Sequence, residues 1–140
     1  MDRVKVTVLA VFLGVLYAYL SVYIIGFGAA IAIPASILTP VAKVAPMFAF
    51  AMVDLITIGL PLIVVYFLFV LGVKYLNASK SYLPYLALFA PFFIQHIYFF
   101  VIMGQPQDWV YTLATILPRY IAILAFAYYF ARRAVNHAKA

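Results

Sequence analysis

The chain has 140 residues, 70% of them hydrophobic and 9% charged, whereas an ordinary soluble domain is roughly 45–50% apolar and about 25% charged. That composition excludes a soluble globular protein, which would expose large contiguous apolar patches, and points to an all-α integral membrane protein forming one membrane domain over residues 1–140. A net charge of +6 does not signal nucleic-acid binding, because the basic residues sit mostly beside the ends of apolar runs, and the lack of cysteine excludes disulfides, thiolate metal sites and thiol nucleophiles.

The first apolar run follows Asp2, Arg3 and Lys5 and extends from Val6 to Ile33. As a helix it would be roughly 42 Å long, more than the roughly 30 Å hydrocarbon core requires. A spanning helix is expected over about residues 5–26, ended by Gly26 and Gly28. The following segment, GFGAAIAIPASILTP, is rich in small residues and broken by Pro34 and Pro40, which suits a re-entrant or interfacial piece between the first two spans. The basic start and Ala30-Ile31-Ala32 resemble a signal peptide, but the apolar run far exceeds a signal core, so a retained helix is expected.

The second span is expected over about 46–73, and the third over about 82–103 after a link containing Lys74, Asn77, Ser79 and Lys80. The loop GQPQDW leads to a fourth span over about 109–131. In this four-helix arrangement Arg3, Lys5, Lys74, Lys80, Arg132, Arg133 and Lys139 fall on one side and only Lys43 on the other, so both termini are expected to be cytoplasmic. Trp109 and Tyr111 at one end, with Tyr82, Tyr128 and Tyr129 at the other, fit interfacial aromatic belts. The localisation implied is multi-pass in the cell's inner (cytoplasmic) membrane.

Three ionisable residues interrupt these spans: Asp54, His96 and Arg119. Such groups are costly in hydrocarbon, so they face a protein interior, find a partner or serve an ion or substrate path. Their expected depths are about 12, 10 and 15 Å below the same membrane face, which permits contact. Helical spacing places Thr112, Thr115, Arg119, Ala122 and Phe126 on one face of the fourth span, expected to look inward. Asp54, Thr57 and Pro61 share a face of the second span, and Phe92, His96 and Phe99 one of the third, with Gln95 beside His96. Asp54, His96, Arg119, Gln95, Thr57 and Thr115 therefore form the candidate binding or ion-pair cluster. In the first span Gly14, Ala18, Ser21 and Ile25 form a small-residue face suited to helix packing.

Pro61, Pro91 and Pro118 each remove a backbone donor and free the carbonyls of Thr57, Ala87 and Ala114, so a kink is expected in each of the last three spans. One Asp and one His within the membrane fall short of the ligands a zinc or di-iron centre needs, and His137 lies in the tail, so neither a metal nor any other cofactor is expected. GFGAA lacks the spacing of a dinucleotide fingerprint, and Ser21, Ser36, Ser79 and Ser81 lack nearby acid–base partners.

The partners implied are the lipid bilayer and either another membrane protein or further copies of the chain. With little extramembrane surface, the leading expectation is a subunit or accessory component of a larger membrane assembly. The alternatives are a homo-oligomeric small transporter or channel using the cluster, and a membrane enzyme or quinone-linked electron-transfer subunit; an enzyme is the less favoured reading.

Overall fold

The computed structural model describes residues 3–76, 81–103 and 109–136. Asn77, Ser79, Lys80, the loop residues 104–108, His137 and Lys139 lie outside them, as does Asp2. All regular elements among the described residues are helical: α1 (Arg3–Ala30), α2 (Ala35–Val44), α3 (Pro46–Asp54), α4 (Leu60–Leu76), α5 (Leu83–Tyr98) and α6 (Trp109–Asn136). Two π-helical turns, Leu55–Gly59 and Phe99–Met103, join α3 to α4 and extend α5. Four helical stretches are long and apolar enough to cross a membrane: Arg3–Ala30, Pro46–Leu76, Leu83–Ile102 and Trp109–Arg133.

The first span runs longer than the glycine signals suggested. Gly26 and Gly28 do not end α1, because a helix retains its hydrogen bonds through isolated glycines and loses only about 1 kcal/mol at each. Four non-helical residues, 31–34, follow Ala30; Ile33 precedes Pro34, whose ring disfavours helical backbone there. Pro34 then caps α2, a ten-residue helix with Pro40 inside it and no fully buried residue. Pro46 separates α2 from α3 by the same steric rule, leaving Ala45 extended at φ −143° and ψ 79° and occupying the first turn of α3, where a missing N–H costs nothing.

The spans pack in two tiers. α1 lies against α5 along most of its length and also touches α4; α3 packs on α6, with α2 against α3; α5 and α6 meet least. Close approach of α1 and α5 depends on Gly14, where an added Cβ would overlap the Leu88 carbonyl oxygen and come within 3.0 Å of the Pro91 ring. Ala18 and Ser21 continue this buried face, and the Ser21 hydroxyl donates to the Ala18 carbonyl at 2.6 Å. Two turns further on, Gly28 meets the π-turn, its Cβ position lying 2.5 Å from the Thr57 carbonyl oxygen.

Between α1, α4 and α5 the bundle is filled by rings. Tyr17 sits 5.4 Å from Tyr66 and 5.0 Å from Phe92 by ring centroids, and its buried hydroxyl donates to the Leu62 carbonyl at 3.1 Å. Phe89 closes the group edge-on to Tyr66 at 5.8 Å. Outward faces are equally apolar, as with Phe12 at 69%, Ile94 at 66% and Val110 at 71% exposure, which only a lipid surround accommodates on so many helices at once.

Candidate functional site

The polar junction is built by the middle of the second span and the first half of α6. Asp54 is the last residue before the π-turn, and Arg119 follows Pro118 inside α6, which continues unbroken past it. The π-turn brings Gly59 against the Arg119 stem: a Cβ there would lie 3.4 Å from Arg119 Cγ and 3.0 Å from Leu55 Cδ1. With room for its methylenes, Arg119 extends to Asp54 and Nη1 donates to Oδ1 at 2.7 Å, the short distance of a charge-assisted bond.

Both side chains are well shielded, at 7% exposure for Arg119 and 17% for Asp54. The pair makes one bond rather than the two-bond fork that carboxylate and guanidinium allow. Asp54 Oδ2 and Arg119 Nε are buried with no hydrogen-bond partner among the described residues. Neutralisation is therefore achieved within one copy, while hydrogen-bonding capacity is left over on both members.

His96 does not join the ion pair. Its Nδ1 donates to the Phe92 carbonyl one turn back at 2.9 Å, since a carbonyl can only accept. In the neutral ring that leaves Nε2 as an acceptor. The imidazole lies 4.1 Å from the Phe92 ring and 5.7 Å, edge-on, from Tyr120. Tyr120 links the two parts of the site, because the Arg119 guanidinium carbon stands 5.1 Å from the centre of its ring, within cation–π range.

The threonines turn their protons to their own helices. Thr57 Oγ1 donates to the Val53 carbonyl at 2.9 Å, and Thr115 Oγ1 to the carbonyls of Tyr111 and Thr112 at 3.0 and 3.1 Å. Both line a cleft of about 260 Å³ together with Gly28, Phe50, Asp54 and Tyr111. It lies at the end of the bundle where α1 finishes and α6 begins. Phe50 and Tyr111 form part of its wall, ring centroids 5.9 Å apart. Gln95 Oε1 is buried without a partner among the described residues.

The inward stripes differ from the expected ones in two places. On α6 the buried line runs Thr115, Arg119, Ile123, while Phe126 is 42% exposed, because an i, i+4 row is inclined to the helix axis and follows the neighbouring helix. On α5 Phe92 and His96 are buried but Phe99, which opens the second π-turn, is 46% exposed. Tyr17, Gly59 and Tyr120 went unread in the sequence. Only Tyr120 carried a local signal, as an aromatic directly after a buried arginine.

Among the described residues no group of three His, Cys, Asp or Glu side chains stands close enough to hold a metal ion. Four apolar helices around an internal ion pair define a helical membrane protein of the multi-pass type. No family model, curated protein or solved structure matches the chain.

Proposed function

We propose that the chain is a small multi-pass subunit or accessory component of a larger assembly in the cytoplasmic membrane, in which Asp54 and Arg119 hold α3 against α6. One observation carries this reading: the two intramembrane charges neutralise each other inside a single copy through a 2.7 Å bond. Charges committed to each other pin helices in register.

Both termini are assigned to the cytoplasmic side, because Arg3, Lys5, Lys74, Arg132 and Arg133 sit at one end of the bundle and Lys43 at the other. α2 is assigned to the opposite interface: ten residues cannot span the membrane, and Lys43 in its last turn suits the headgroup level. The test is purification of the full chain from its native membrane in mild detergent, followed by native mass and identification of co-purifying polypeptides. A stoichiometric partner is expected; a homo-oligomer carrying flux would overturn the subunit reading.

That second outcome has one observation in its favour. The cleft beside Asp54 lies toward one end of the bundle and is lined by Thr57 and Thr115, whose oxygens present lone pairs because their protons are spent. A transporter assembled from several copies would use it as an entry. Asp54→Asn then abolishes flux in a folded protein, and Asp54→Asn with Arg119→Gln does not restore it.

A further inference from the structure

α5 and α6 pack far more loosely against each other than α1 and α5 do. Two apolar hollows of about 250 and 400 Å³ lie in the seam between α5 and α6 and share Leu124. The first is bounded by Phe93, Ile97 and Leu117, the second by Phe89, Ala127 and Tyr128. The second hollow starts at Tyr82 and the first ends at Val101, so together they border the third span over about 29 Å, close to the roughly 30 Å thickness of a hydrocarbon core.

The dimensions and ends of this crevice specify an occupant. One leaflet supplies roughly half of the hydrocarbon thickness, so an acyl chain entering at the Tyr82–Tyr128 end lies along the second hollow and ends in the first. At one end Tyr82 and Tyr128 are exposed, the position tyrosines take at headgroup depth. The α6 row that lines the crevice, Leu124 and Tyr128, continues one turn on to the exposed Arg132. Arg3, Lys5, Lys74 and Arg133 share this end, and no acidic side chain stands there among the described residues.

We infer that the α5–α6 seam binds one anionic phospholipid of the bilayer, with an acyl chain lying along the crevice and its phosphate at Arg132. The inference rests on the membrane-spanning reading alone and is independent of whether the chain is a subunit or a transporter.

The test uses the full chain, purified in mild detergent, stripped of lipid and offered phosphatidylglycerol or phosphatidylcholine, with bound lipid read by native mass spectrometry. One lipid per chain is expected, with phosphatidylglycerol retained about fivefold better, the effect of one basic residue at a membrane surface. Arg132→Gln should erase that preference. Ala127→Trp should fill the crevice and lower retention of both lipids while helicity by circular dichroism is unchanged. A phosphatidylglycerol carrying a diazirine at its chain end should label Phe93 or Leu117, a readout that holds even if Ala127→Trp fails to fold. Equal retention of the two lipids by the unsubstituted chain, undiminished retention by folded Ala127→Trp, or labelling spread over the outward face of α1 at Phe12 and Tyr19 would each overturn the site; the last would mean bulk-lipid contact only.

Discussion

The α3–α6 junction and the α1–α4–α5 side of the bundle hold helices together by different physics. At the junction a single charge-assisted bond joins Asp54 to Arg119, and buried donor and acceptor capacity remains unspent on both. On the other side the contact is steric: Gly14 and Gly28 admit backbone carbonyls from neighbouring helices, and Tyr17, Tyr66, Phe89 and Phe92 fill the space between. In a bilayer, apolar side chains gain little from touching protein instead of lipid, so close fit and polar bonds decide which helices pair. The steric side is held by shape, whereas the polar side is held by one bond with capacity left over.

The sharpest way to break this contrast is to remove one charge. Arg119→Gln leaves Asp54 unpaired and is expected to cost about 3–5 kcal/mol of stability, and Asp54→Asn a similar amount. The double substitution should recover much of the loss, because the two residues share one interaction and their effects do not add. Unfolding of all four proteins in one detergent measures this cycle. Additive losses would mean that the 2.7 Å bond does not hold the junction.

On the steric side the corresponding test compares two glycines of one helix. Gly28→Ala places a methyl 2.5 Å from the Thr57 carbonyl oxygen and 2.7 Å from Ile58 Cγ1, so α1 must shift, at an expected cost of about 1–3 kcal/mol. Gly26→Ala meets nothing within 4 Å and should stabilise α1 by about 0.5–1 kcal/mol. Thermal unfolding of the pair reads opposite signs if α1 docks on the π-turn.

Smaller effects sharpen the comparison. Tyr17→Phe deletes the hydroxyl bond to the Leu62 carbonyl but keeps the ring, and should cost about 0.6 kcal/mol, the average for hydrogen bonds between membrane helices. Thr115→Val removes hydroxyl bonds made only within α6 and should cost no more than about 1 kcal/mol. A larger loss for Thr115→Val would show that the cleft hydroxyl has a second partner.

The junction was partly legible. Asp54 and Arg119 stood out because charges are rare in apolar spans, and the expected depths allowed them to meet. An ion pair between them was the expected reading, but its single-bond geometry was not legible, because it depends on Gly59 clearing the Arg119 stem and on the π-turn that starts after Asp54. His96 shared the depth but not the direction, being held by the Phe92 carbonyl on its own helix. Tyr17 looked like one more aromatic in an apolar run, and nothing around it in the sequence marks it as the centre of the ring cluster.

By itself the sequence determined the solvent and the architecture: lipid, helices throughout, and four runs long enough to cross, with basic residues gathered at one set of ends. Each of these follows from composition and from the need of every backbone group in hydrocarbon for a partner within its own helix. Tertiary structure alone decided which faces turn inward. It buried Ile123 and left Phe126 and Phe99 exposed, carried α1 through Gly28 onto the Thr57 carbonyl, and left α5 and α6 apart. The reason is that a membrane helix is apolar on every side, so its hydrophobic pattern carries little information about direction, and facing is set by fit at glycines and by the few polar bonds available.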